Sequence, residues 1–267
     1  YPLAQTELLP STDPLTLQGQ LPQRLIYGSY PELWHYTSAE QQQQYLKQLC
    51  SEYLFQDILR FENLQYSDKL QHLLRLLAHQ IGHSVSQEEL GRQLGLNRQT
   101  VERYLSLLRK TFVIFPLEGF SRNLRKEITK SKRWYFWDNG IRNALINNFN
   151  LPELRNDTGQ LWENFLVSER LKTHAYRQRY VNAYFWRTYD QQEIDLIEES
   201  GGELGAFEFK WGQQKAKTPK AWRDAYPESH FEVIRPDNFL QWLSEEQRFG
   251  HCYFTDYQPN IYLSDPN

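Results

Sequence analysis

The run from Gln191 to Trp211, QQEIDLIEESGGELGAFEFKW, leaves little freedom in how it can fold. Two strand-like stretches flank Gly201 and Gly202, and glycine tolerates the positive φ that a two-residue hairpin turn requires. With the turn centred there, Asp195 falls opposite Glu208, and Glu193 opposite Lys210. Alternation then puts Glu193, Asp195, Glu208 and Lys210 on one face. Ile194, Leu196, Phe207, Phe209 and Trp211 take the other face, which reads as core. Two carboxylates directly across a strand pair stand with Cβ atoms about 5 Å apart and repel each other. A divalent cation reverses that sign, and Mg²⁺ is typically held by one or two carboxylates with water and phosphate oxygens. Lys210 is placed to touch a phosphate or orient a water. The same spacing also fits an exposed Glu193–Lys210 ion pair, worth about 1 kcal/mol or less, with Asp195 and Glu208 facing solvent. The hairpin alone leaves both readings open.

Composition bounds the rest. The chain has 267 residues, 40% hydrophobic and 24% charged, enough for one large domain or two modest ones. No apolar run approaches the roughly 20 residues of a membrane span. No basic-then-apolar leader opens the sequence, so a cytoplasmic protein is expected, with no membrane partner. Cys50 and Cys252 are the only cysteines, and their spacing suggests neither a disulfide framework nor a zinc site. The formal net charge of -3 gives no global attraction to nucleic acid, so any such site must be a local patch. No methionine is present, which leads us to expect a piece of a longer protein.

Residues 1–28 read as extended chain with one short helix. Gln41–Gln44 sit within a helical pattern that includes Tyr45, Leu49, Tyr53, Leu54 and Ile58. A second helix is expected from Ser67 to Ile81, with Leu70, Leu73, Leu74 and Leu77 as its core stripe. Ser86, with Glu89 three residues on, marks a helix start; Gly95 ends that helix. Asn97 opens another helix through Lys110, whose Val101, Leu105 and Leu108 face inward. Two short helices about a glycine turn, followed by the strand-like FVIFPLEGF and RWYFWD, form the pattern of a winged helix-turn-helix. Its alternative is a helical hairpin that contacts protein. Arg98 and Arg103 lie on the second helix. Arg122, Arg125, Lys126, Lys130, Lys132 and Arg133 crowd the segment between the strands against one acid, Glu127. Clustered cations of this kind contact phosphates with strong salt dependence, although charge runs are commonly just solvated loops. A linker, Asn147–Asp157, precedes a helix from Asp157 or Thr158 to Ala175, a strand-rich stretch, a helix near Lys220, the strand HFEVIR and a helix from Pro236 to Leu243. Together these describe an α/β (α+β) chain.

The pair EID and EFK resembles the core of PD-(D/E)xK nucleases. The resemblance implies that Asp195 and Glu208 bind a catalytic Mg²⁺ (or Mn²⁺), with Lys210 beside them. It places Glu163, in GQLWENFLVSERL, as the helical acid completing the site; Glu169 is a weaker match. FWRT, with Arg187, is similar to the first core strand. More widely, the succession YLFQDIL, LLRLLAHQIGHSVSQEELGRQLGLNRQTVERYLSLLRKTFVIFPL, KRWYFWDNGIRNAL and GQLWENFLVSERL resembles the C-terminal region, of unknown function, of prokaryotic AAA+-type ATPases. The likeness covers nearly the whole chain. It implies residues 1–20 as the tail of an ATPase domain or a linker, 21–150 as a helical region with a winged helix, and 151–267 as a PD-(D/E)xK restriction-endonuclease-like domain. No GxxxxGK[ST] loop is present, so ATP is expected only in an N-terminal domain outside this chain. Two readings follow. One is a DNA-binding, metal-dependent nuclease-like module of the ATPase; the other is a non-enzymatic scaffold contacting its own ATPase domain, with oligomerisation open.

Overall fold

A computed structural model describes residues 1–54, 67–122 and 132–244. Helices α1 (Gln5–Leu8), α2 (Pro14–Gly19) and α3 (Leu21–Tyr27) open the chain, where the sequence led us to expect one short helix. Proline explains the difference. Pro14 and Pro22 occupy first-turn positions, where a missing N–H costs nothing, and Asp13 accepts a hydrogen bond from the Thr16 N–H at 3.0 Å to cap α2.

α4 (Ala39–Gln48) carries the four glutamines and runs into a π-helical turn over Leu49–Leu54. Its expected continuation to Ile58 lies outside the described residues. α5 (Ser67–His79) buries Leu70, Leu73, Leu74 and Leu77 as one stripe. α6 (Gln87–Leu94) starts where Ser86 Oγ accepts from the Glu89 N–H, and stops at Gly95 with φ 63°. α7 (Arg98–Lys110) is capped by Asn97 Oδ1, which accepts from the Thr100 N–H at 2.8 Å.

Next come α8 (Asn139–Leu145), α9 (Thr158–Tyr176), α10 (Lys220–Ala225) and α11 (Phe239–Ser244), interleaved with strands. The strands are β1 (Ser84–Val85), β2 (Ile114–Gly119), β3 (Lys132–Phe136), β4 (Asn182–Arg187), β5 (Glu193–Ser200), β6 (Glu203–Phe209) and β7 (His230–Ile234). They make one mixed sheet in the order β1-β3-β2-β4-β5-β6-β7. The fold is thus mixed α/β, as expected. β2 and β4 pair in parallel through Glu118↔Tyr184 and Gly119↔Phe185, so the sheet continues from the first half of the chain into the second. The intervening linker is tied down by Arg155, which donates to Asp157, Asn148 and Asn143. No helix of the described residues is long and apolar enough to cross a membrane.

Three cores result. One lies among α4 to α8 and takes Ile114, Trp134 and Phe136 from the sheet. A second lies between α9 and the sheet and takes Phe115, Tyr135, Phe185, Leu196 and Phe207. The third covers the opposite face, with Trp186, Ile194, Ile197 and Ala206 under Trp222 of α10. β3 and the residue after it therefore feed two cores by alternation: Trp134 and Phe136 go one way, Tyr135 and Trp137 the other. α9 is buried almost all round, which is why its apolar residues trace no single stripe. Asn164 pins it to β3, accepting from the Phe136 N–H at 2.7 Å and donating to the Phe136 carbonyl at 2.9 Å.

Candidate functional site

The hairpin turn forms as its glycines dictate. Gly201 and Gly202 both take positive φ, 59° and 87°, and the register runs from Ser200↔Glu203 to Leu196↔Phe207. Beyond Leu196 the simple alternation fails. On the β4 side, Tyr184 pairs with Ile197 but Trp186 pairs with Ile194, so β5 holds one extra residue there, a β-bulge. The bulge puts Ile194 with Ile197 in the third core while Leu196 stays in the α9 core with Phe207 and Phe209, correcting the single apolar face read from the sequence. Asp195 lies within the bulge, and its Oδ2 accepts from the Phe209 N–H at 2.8 Å. The expected Glu193–Lys210 pairing gives way to two others: Lys210 Nζ donates to Glu208 at 2.6 Å, and Glu193 accepts from Arg133 at 2.8 Å.

Glu163, Asp195, Glu208 and Lys210 line one cavity of about 540 Å³. They come from α9, from β5 and from the end of β6, so the fold brings the motif residues together. Arg187 lines it too. Glu163 reaches it beside Gly82, where a Cβ would lie 3.1 Å from Glu163 Oε2, so the close approach uses a glycine at φ 74°. Glu169 is elsewhere in purpose: buried, it pairs with Lys172 and accepts from the Gln5 N–H.

Arg133 is the residue that the sequence reading misplaced. It was expected among exposed phosphate-binding cations, yet it is 4% exposed. Its guanidinium stands 3.3 Å from Glu163, 2.8 Å from Glu193 and 3.8 Å from Asp195, and packs over the Phe185 ring. The signal was present in RWYFW: Arg133 shares its strand face with Tyr135, which enters the α9 core and donates its hydroxyl to Glu163 at 2.6 Å. The other basic residues remain on the outside where described. Arg98 pairs with Glu88, Arg122 with Glu199 and Lys132 with Glu118, and Arg103 is exposed on α7. Arg125, Lys126 and Lys130 lie outside the described residues.

The electrostatics follow from this crowding. Burial, then the charge of Asp195, push the Glu163 carboxyl up to about 8 against the opposing pull of Arg133 and Tyr135. Burial and Asp195 likewise push Glu208 up to about 7, against Lys210. Asp195 is raised by burial, tempered by the Phe209 N–H, Arg133 and Lys210. Burial disfavours the Lys210 ammonium, but Glu208, Asp195 and Glu163 outweigh it and hold the charge on. Glu208 Oε2 is buried with no hydrogen-bond partner among the described residues, an acceptor left over inside the site. Two carboxyls whose proton affinity lies near neutrality, beside a held ammonium, can exchange a proton with a reacting group.

Residues 18–151, half of the chain, match the family described as Domain of unknown function (DUF8612). The chain belongs to that family. Residues 158–248, which carry Glu163, Asp195, Glu208 and Lys210, match a second one, Domain of unknown function (DUF4143). Uncharacterized proteins of Mycobacterium bovis and Mycobacterium tuberculosis are each 31% identical over 137 residues, which is 51% of this chain and 30% of each relative. The match thus spans about a third of the length of these curated relatives. No solved structure matches the chain.

Proposed function

We propose that the chain is the C-terminal module of an AAA+-type ATPase and that its cavity is a nuclease-like site for metal-dependent phosphodiester hydrolysis. One observation carries the reading: four residues from a helix and two strands, singled out by a motif, line a single cavity in which their charges perturb one another. The DUF4143 match supports the ATPase context, being a domain typically found in AAA ATPase C-terminal regions. The sheet segment β4–β5–β6 with α9 fits a PD-(D/E)xK core. α6, α7 and the β1–β3–β2 strands fit a winged helix.

The donor chemistry suits a hard divalent ion. The acids supply carboxylate oxygens, and Glu208 Oε2 has no partner of its own among the described residues. Among the described residues no three His, Cys, Asp or Glu side chains are arranged as a ready cage, so the fit is to an ion held by one or two carboxylates and completed by water and phosphate oxygens. Asp195 and Glu208 would hold Mg²⁺ or Mn²⁺, with Glu163 assisting. When bound, such an ion lowers the pKa of water and offsets phosphate charge. The protein's own groups do the rest. Lys210, steadied on Glu208, presents a cation to the non-bridging phosphate oxygens as charge develops. Glu163 is held by Tyr135 and Arg133 and can take up a proton near neutral pH. DNA is the proposed polymer, met by Arg98 and Arg103 on α7 and by Arg122 and Lys132, in contacts that should weaken steeply with salt.

The test is cleavage of duplex, single-stranded and branched DNA with Mg²⁺ or Mn²⁺, comparing wild type with Asp195→Asn. Metal-dependent cleavage lost in the variant is the expected result. One observation favours a second reading, a scaffold that docks the ATPase domain: Arg133 already pairs Glu163 and Glu193. Intact geometry with no cleavage and no metal-dependent rise in Tm would select it.

A further inference from the structure

Arg133 and the acids that surround it come from the two separately matched segments. Arg133 belongs to residues 18–151, and Glu163, Glu193 and Asp195 belong to residues 158–248. The guanidinium cannot drift far. It lies 4.7 Å over the Phe185 ring, and the next residue along β3, Trp134, is locked into the helical core. Yet its bonding is incomplete. Among the described residues its buried Nε has no partner, its contact with Glu163 is 3.3 Å long and that with Asp195 is 3.8 Å. A guanidinium built purely to bind carboxylate does better, as Arg170 does with two bonds of 2.7 and 2.9 Å to Glu198. Arg133 therefore supplies charge to the acidic site without saturating it.

We propose that Arg133 is the resident cation of this site, competing with a divalent ion for Asp195, which that ion would share with Glu208, and for Glu163, which would assist; the inference rests on the metal-dependent reading above. Its closest partner, Glu193 at 2.8 Å, is the one it retains. Arg133 is on this account a positioning residue. It keeps the acids compatible with burial when no ion is bound, and it sets how tightly an ion binds by competing for the same carboxylates.

The experiment measures Mn²⁺ binding, from the spin-resonance signal of the unbound ion, to wild-type protein, Arg133→Gln and Arg133→Lys. Removing the competing charge should tighten Mn²⁺ binding about tenfold in Arg133→Gln. Lysine keeps the charge but lacks the fork, so Arg133→Lys should fall between. In EDTA, Arg133→Gln should melt below wild type, and Mn²⁺ should raise its Tm more than it raises that of wild type. Adding Glu163→Gln to Arg133→Gln should cancel the gain in affinity. Should Arg133→Gln not fold, Arg133→Lys decides by the same comparison. Wild type that binds Mn²⁺ while the variants bind it no more tightly would overturn the proposal and leave the metal reading standing. No Mn²⁺ binding by any of the three would overturn both.

Discussion

Strand β5 carries two buried acids three residues apart, and they live in opposite circumstances. Glu198 is saturated: Arg170 grips it with two bonds, and His174 Nε2 adds a third at 2.7 Å. Burial opposes its charge, but Arg170 and His174 overcome this and hold its carboxyl down to about 2. Asp195 shares its cations with Glu163, Glu193 and Glu208, and two of those neighbours are pushed up towards neutrality. Both clusters lie beside α9, in the same sheet. The difference is one of supply. At Glu198 every charge has its partner and the cluster holds the fold; around Asp195 acids outnumber well-placed donors, and the surplus faces a cavity. Buried charge that is complete stabilises or specifies structure, whereas buried charge that is incomplete is poised to bind or to exchange protons.

The largest effect should come from the complete cluster. Glu198→Gln leaves the Arg170 guanidinium buried without its counter-charge and should cost about 3–5 kcal/mol in urea unfolding. Because the folded-state pKa of Glu198 lies below its unfolded value, its contribution is present above about pH 4.3 and is lost as pH falls towards 2. The gap between wild type and variant should close in that window. The incomplete cluster should give the opposite sign. The folded-state pKa of Glu208 is raised to about 7, so ionising it opposes folding as pH climbs from the ordinary glutamate range through 7. Glu208→Gln should thus match wild type in mild acid and exceed it by about 1–3 kcal/mol in mild alkali. If both substitutions destabilise alike at alkaline pH, the contrast between the clusters is wrong.

The smallest effect sharpens the contrast within one basic run. Lys132 and Arg133 are adjacent, but Lys132 is half exposed and, among the described residues, pairs with Glu118. Lys132→Gln should change stability by less than about 0.5 kcal/mol. Arg133→Gln should cost several times as much in the absence of metal, by thermal or urea unfolding.

How far these features could be read in advance depended on the physics behind each. The turn, its register, the caps at Ser86 and Asn97 and the mixed α/β class were legible, because glycine φ and capping chemistry act locally. The bulge at Asp195 was not, since an extra residue leaves no mark on an alternating pattern, and it moved Ile194 to the other core. The Glu193–Lys210 pairing failed because each found another partner, Arg133 and Glu208. Charge counting misled at Arg133, because its environment is set by Tyr135 on the same strand face and by the packing of α9, which no local run of residues reveals. The first helices were legible but missed: Asp13 before Pro14, and Pro22 at the start of α3, are start signals.

The central claim is that the Asp195 cluster lacks a cation which a divalent ion supplies. The direct measurement is the Tm of wild type and Asp195→Asn in EDTA and in saturating Mn²⁺. Wild type should melt higher with Mn²⁺, and Asp195→Asn should fold but show little of that rise. A wild-type Tm indifferent to Mn²⁺, or an equal rise in the variant, would contradict the account.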